Sequence, residues 1–367
     1  MPSGGAVPGA RDWWGDNHTI GISSYHRSHA GGGGVSNLEV EPDELLCAAD
    51  AAVTGFELLE PRDVPLGGPR AMDVRRTLPQ RRRSLIGAWC FVDHYGPDDV
   101  AITHGMVVPP HPHTGLQTVS WLFAGDIEHR DSVGSHAVVR PGELNLMTAG
   151  SGIQHSEVST PQTTMLHGAQ LWVALPDATR HSAPRFEHYA PAPVERGNAT
   201  LRVFLGSLAG ESSPVVTDTE LLGAQIDIPA GSTLDLEVDE RFEHGILLDA
   251  GELSAGASTR DAAVDLHEIP LGHLAYFAPG RSVLRLVAGA TPVRVLLIGG
   301  VPLGESIVMW WNFIGRTHEE IVEYRSHWQH EVIEGSTTAG RFGVVADYPG
   351  SALPAPVLPG VRLRPRG

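Results

Sequence analysis

Between residues 74 and 175 the chain alternates short apolar runs with turn signals. Residues 85–96 (LIGAWCFVDHYG) form an apolar run that closes on a Gly-Pro step. Val107-Val108 follow, then residues 118–123 (TVSWLF) with Ala124-Gly125-Asp126 as a turn. Val138-Val139, the Pro141-Gly142 turn, residues 144–147 and residues 171–175 continue the rhythm. Runs of β-branched, aromatic and aliphatic residues bounded by turn residues read as strands. Their regular spacing predicts a double-sheet jelly roll or barrel.

Residues 176–200 break the pattern with a polar, Pro-rich stretch that reads as a surface linker. A second set of strands begins at residues 201–205 and continues through 224–228, 234–238, 245–248, 271–277, 283–287 and 293–298. The repeated strand–turn rhythm predicts two similar β domains in tandem. One helix is expected near the end. Thr317-x-x-Glu320 has capping-box spacing, and Ile321, Tyr324 and Trp328 fall on one face. At the ends the periodicity fails. Residues 1–60 carry four consecutive glycines at 31–34 and read as a flexible extension, with a short helix compatible with residues 42–60. Residues 334–367 read as a flexible tail. The expected organisation is therefore 1–60 extension, 70–195 first β domain, 200–333 second β domain with its closing helix, and 334–367 tail.

Composition narrows the function classes. The 367 residues suit two domains, and an apolar fraction of 41% is enough for two cores. With 26 Lys plus Arg against 43 Asp plus Glu, the formal charge is −17, which repels phosphate backbones and anionic lipid. Direct nucleic-acid binding and membrane association are not expected. The two cysteines, Cys47 and Cys90, have no CxxC spacing, so a reducing, cytoplasmic setting is expected. No apolar stretch approaches the roughly 18 residues of a membrane span, and the N-terminus lacks a signal-like apolar segment. Two packed domains suffice as a monomer.

Candidate chemistry concentrates in two matched pairs, His111/His113 and His155/Glu157. On a strand, i and i+2 side chains share a face, so each pair presents two ligands together. Pro112 stiffens the first pair, and Gly150-Ser151-Gly152 permits a tight turn that brings the second pair to it. Three imidazoles and one carboxylate suit a first-row divalent metal. His129 and His136 are nearby rivals, ranked lower for want of a paired ligand at i±2. Gln117 and Gln170 are candidates to orient imidazoles, against ordinary polar sheet positions. Trp121, Phe123 and Trp172 are candidates for a flat apolar pocket wall, against plain core positions. The basic run Arg81-Arg82-Arg83 reads as a solvated loop. The second half has no HxH or HxE pair, and His244, His267 and His273 are isolated, so a single metal is expected, with this half bracing the first.

Several segments resemble the pirin family. They are His111-Pro112-His113-Thr114-Gly115, Glu128-His129-Arg130-Asp131-Ser132, Arg140-Pro141-Gly142 and, above all, residues 147–157 (MTAGSGIQHSE). Residues 170–176 (QLWVALP), Gly300-Val301-Pro302-Leu303-Gly304-Glu305, Phe313 and Arg316-Thr317 extend the likeness over about residues 72–333. The resemblance implies an all-β fold of two tandem cupin-type jelly-roll β-barrels with a short C-terminal helix. It also implies metal ligation by His111, His113, His155 and Glu157, with Fe(II) first and Ni, Cu, Mn, Co or Zn as alternatives. Gly105 matches the first cupin motif. Gln117 stands where many cupins place a ligating Glu, so the carboxylate falls to Glu157. By resemblance to quercetin 2,3-dioxygenase-like members, the implied activity is a metal-dependent dioxygenase taking a flavonol-like aromatic substrate and O2, with Glu157 as catalytic proton acceptor. The alternative implied is a non-enzymatic iron- or redox-sensing regulator that binds a protein partner.

Overall fold

The computed structural model describes residues 55–66, 72–337 and 340–367. Two β-sandwiches follow one another along the chain. In the first, a seven-stranded antiparallel sheet runs in the order Arg185–Tyr189, Leu144–Thr148, Leu116–Ala124, Met165–Ala174, Trp89–Asp99, Met72–Leu78, Arg62–Leu66. It faces a four-stranded sheet ordered Val107–His113, Ile153–Ser159, Ile127–Asp131, His136–Val139. The second repeats the plan with seven strands around Glu243–Ala250, Val293–Gly300 and Leu221–Ile228, and four around Val283–Ala288 and Leu253–Ser258. This is the tandem jelly-roll architecture that the strand rhythm implies.

The long sheets of the two halves lie against each other, and strand alternation shows it. Along Val293–Gly300, Val295 and Leu297 belong to the second barrel's own core, whereas Leu296 and Ile298 face the seam between the halves. With both faces buried, the strand reads as an unbroken apolar run rather than an alternating one. On Leu116–Ala124, Val119 and Trp121 face the seam. Trp89 Nε1 donates to the Gly299 carbonyl at 3.0 Å and Trp121 Nε1 to Gln225 Oε1 at 2.9 Å, so both indoles cross the seam. Trp121 also stacks on Phe204, with centroids 4.4 Å apart. It is a core residue, not a pocket wall.

The ends differ from expectation. Phe56–Leu59, inside the expected extension, is an edge strand of the second half's long sheet, paired with Leu274–Phe277, and Leu59 is buried in the seam. Residues 1–54 of that extension, including 42–54 of the expected helix, lie outside the described residues. The stretch read as a linker contributes Arg185–Tyr189, paired with Leu144–Thr148. Arg83, read as part of a solvated loop, pairs with Glu57 at 2.6 Å and lies 3.3 Å over the Tyr276 ring.

The helix forms at His318–Trp328, with Thr317 as its N-cap and Ile321, Tyr324 and Trp328 buried. It packs into the first barrel's core rather than the second's. The expected flexible tail packs there too. Phe342, Leu353 and Ala355 join the same cluster, Trp328 Nε1 donates to the Leu353 carbonyl, and Leu353 N donates to the Pro110 carbonyl. These apolar residues are scattered among prolines with no period, so they cannot be recognised locally. No described helix is long and apolar enough to cross a membrane.

Candidate metal centre

Val107–His113 and Ile153–Ser159 are antiparallel neighbours, and their register sets His155 opposite His111 and Ile153 opposite His113. The register shifts between His155 and Glu157, which faces Val108. A bulge of this kind re-aims side chains beside a site. The turn after the first strand and the turn before the second are tied by Gly115 N donating to the Gly150 carbonyl at 2.9 Å. Gly150 has φ +53°, and a Cβ there would stand 2.0 Å from the Ser182 carbonyl oxygen. Only glycine fits that turn.

The result is a buried convergence. His113 Nε2 and His155 Nε2 are 3.1 Å apart, and the ring centroids of His111, His113 and His155 are separated by 4.4–5.0 Å. One nitrogen from each of the three lies within 4.8 Å of the others. Glu157 falls into a second such group with His129 and His155. All four predicted residues line one cavity of about 10 Å³, together with Phe91, Met106, Val108, Gln170 and Trp172.

Burial sets the protonation states. Loss of water pushes His111 down to about 4, the Pro109 carbonyl opposing in part. His113 and His155 lie well below the ordinary imidazole range, first by desolvation and then by mutual repulsion among the histidines. Desolvation raises Glu157, and His129 and the Ser120 hydroxyl offset this in part. His111 Nδ1 lies 2.9 Å from the Pro109 carbonyl. Only an N–H can face a carbonyl, so that ring carries its proton on Nδ1 and turns a bare Nε2 lone pair inward. Neutral imidazoles and a desolvated carboxylate make a donor set that fits a divalent first-row cation.

Comparison with known proteins shows the family. The Pirin family model matches residues 71–173, and the model of the pirin C-terminal cupin domain matches residues 223–334. A Pseudomonas aeruginosa protein named "Putative quercetin 2,3-dioxygenase" is 41% identical over 300 residues, covering 81% of this chain and 89% of its own. The chain belongs to the pirin family. A "Pirin-like protein" of Caulobacter vibrioides is 35% identical over 70% of the chain and 88% of its own length. Among solved structures, a quercetin 2,3-dioxygenase from Acinetobacter baumannii superposes with a TM-score of 0.75 at 36% identity, covering 84% of this chain and 97% of that one.

Within this pirin, the surroundings of the four residues revise the ranking of their neighbours. His129 Nδ1 lies 3.3 Å from His155 Nδ1, and His129 Nε2 lies 3.3 Å from Asp131 Oδ2. Asp131 is itself held by the backbone N–H groups of Val133 and Ser135 on Oδ1. If His155 ligates through Nε2, its Nδ1–H donates to His129, whose Nε2–H donates to Asp131. The HxD spacing at 129–131 is the signal that reveals this chain, and the ranking of His129 overlooked it. His136 is not part of the centre: it is exposed and meets Glu128 at 2.7 Å.

Of the two glutamines, Gln117 turns to Thr148 Oγ1 at 2.9 Å and does not line the cavity. Gln170 does. Ser120 Oγ lies 3.0 Å from Glu157 Oε1 and 3.0 Å from Gln170 Oε1. The hydroxyl has one proton, so with it on Glu157 the Gln170 amide presents its NH2 to Ser120. Of the three aromatics, only Trp172 lines the cavity, edge-on to His113 at 5.2 Å and stacked on Phe91 at 4.1 Å. Phe123 lies against His167 instead, 4.9 Å between centroids.

Proposed function

We propose that this pirin is a metal-dependent dioxygenase that opens a flavonol of the quercetin class with O2. Its one mononuclear divalent ion, Fe(II) before Ni, Cu, Mn, Co or Zn, is held by His111, His113, His155 and Glu157. The observation that carries the proposal is the convergence of three buried, neutral imidazoles beside a desolvated carboxylate. Similarity to relatives named as quercetin dioxygenases supports the substrate class.

When bound, the ion supplies Lewis acidity that lowers the pKa of a coordinated hydroxyl, and open positions for small ligands. The chain does the rest. The imidazoles offer lone pairs without giving up protons, because burial keeps them neutral. Once detached from the ion, Glu157, whose proton affinity burial raises, would take the substrate's hydroxyl proton at Oε2 while Ser120 holds Oε1. Trp172, backed by Phe91, offers a flat apolar wall. A cavity of about 10 Å³ has room for about one water-sized body, whereas drug-sized ligands occupy roughly 300 Å³ or more. The lining side chains must therefore part to admit a flavonol.

The test is anaerobic reconstitution with each metal, followed by quercetin and O2. The flavonol absorbance should bleach with release of one carbon monoxide per ring opened, and a His111→Ala, His113→Ala variant should lose both the ion at this centre and bleaching. Protein carrying a full equivalent of each of Fe, Ni, Cu, Mn and Co without bleaching rules the activity out.

A further inference from the structure

A second cluster of ligand-type side chains lies at the seam between the two barrels. His94 comes from Trp89–Asp99 and His167 from Met165–Ala174, neighbouring strands of the first half. Asp249 comes from Glu243–Ala250 of the second half, at a register shift between Leu248 and Ala250. The three are separated by 73 and 82 residues in sequence, yet all are buried. His94 Nε2 is 2.7 Å and His167 Nε2 2.6 Å from the same oxygen, Asp249 Oδ1, and the two nitrogens are 3.3 Å apart. Arg294 Nη1 meets the other oxygen, Oδ2, at 3.3 Å, which orients the carboxylate and leaves Oδ1 for the histidines. Phe123 walls the group, and the His167 side chain keeps 11% exposure, a path from solvent.

We infer that His94, His167 and Asp249 form a second metal site, for Zn(II), that staples the two barrels together. The chemistry is that of a two-imidazole, one-carboxylate set, with the fourth tetrahedral position left to water on the His167 side. Zinc–ligand bonds of 2.0–2.1 Å imply tetrahedral ligand–ligand edges of about 3.3 Å. The Nε2–Nε2 separation already has this value. The two Nε2–Oδ1 edges lengthen by roughly 0.6 Å on loading, by the same bond lengths. Burial favours neutral His94, and the hydrogen bonds of the two histidines outweigh burial to keep Asp249 ionised. Arg75 Nη2 lies 3.1 Å from His94 Nδ1 and 2.6 Å from the Gly96 carbonyl. A ligating His94 carries its proton on Nδ1, so Arg75 gives up that contact and keeps the carbonyl.

The rival arrangement holds no metal: two Nε2–H groups share one carboxylate oxygen as a hydrogen-bonded clasp. Zinc stoichiometry on the full chain, by elemental analysis after equilibrium dialysis, separates the two. The staple predicts two equivalents in the wild type, one in His111→Ala, His113→Ala, and one in Asp249→Asn, whose isosteric side chain guards against misfolding. In the His111→Ala, His113→Ala background, Co(II) should give the intense visible bands of a tetrahedral centre, and adding Asp249→Asn should abolish them. No zinc in the His111→Ala, His113→Ala variant, an undiminished stoichiometry in a folded Asp249→Asn variant, or no Co(II) bands in the double-alanine background would each overturn the inference. None of these readouts depends on flavonol turnover, so the dioxygenase proposal stands or falls separately.

Discussion

Replacing His129 with phenylalanine tests whether the Asp131–His129–His155 chain orients a metal ligand. The side chain stacks on Phe186 with centroids 4.7 Å apart and planes 24° from parallel, so phenylalanine retains the shape and the stacking. What disappears is the acceptor for His155 Nδ1–H. Loss of such an outer partner typically costs 10–100-fold in metal affinity. Both hydrogen bonds of this chain are 3.3 Å long, near the outer limit of useful geometry, which favours the low end. The expected loss is about tenfold, or about 1.4 kcal/mol. Asp131 Oδ2 also loses a donor, so stability falls by about 1–3 kcal/mol and must be measured separately. The assay is competition for the metal against a chromophoric chelator at fixed pH. His129→Asn, which returns an acceptor near the Nδ1 position, should recover part of the affinity. An unchanged dissociation constant in folded His129→Phe protein would refute the positioning argument.

Two further predictions concern stability. His244 is fully buried in the second barrel with neither ring nitrogen hydrogen-bonded among the described residues, and burial pushes it down to about 4. Its folded-state pKa lies below the ordinary value near 6.5. On acidification the unfolded chain therefore takes up this proton first, and stability falls between about pH 6.5 and pH 4 by up to ~1.4 kcal/mol per pH unit. His244→Leu should thus stabilise the protein by about 1–3 kcal/mol at pH 7, with the advantage widening towards pH 5 in urea titrations. A constant or negative difference contradicts this. Phe342 is 1% exposed and packs edge-to-face on Trp328 at 5.3 Å. Phe342→Ala should cost about 3–5 kcal/mol in denaturant unfolding. A loss below about 0.5 kcal/mol, the usual range for an exposed site, would mean that the tail is not part of the core.

The strand rhythm and the capped helix were legible because their signals are local. Period-2 alternation, turn residues at strand ends, and Thr317 three residues before Glu320 all act within a few bonds of the residues concerned. Strands buried on both faces were legible for the same reason, as unbroken apolar runs. The tail at 340–367 was not legible, because Phe342, Leu353 and Ala355 are placed by contacts with the helix and with a barrel core much earlier in the chain, not by any period of their own.

The same division holds for the chemistry. By itself, the sequence determined that His111 and His113 share one face and that His155 and Glu157 share another, since side chains alternate along any strand. It also determined that the second half has no such pair. Tertiary structure alone decided that these strands are neighbours in a register that sets His155 opposite His111, and that His129 stands behind His155. It alone decided that Asp249 reaches across the seam to His94 and His167. Those relations depend on register and on sheet packing. Both are fixed by the burial of residues far apart in the chain, which no window of sequence contains.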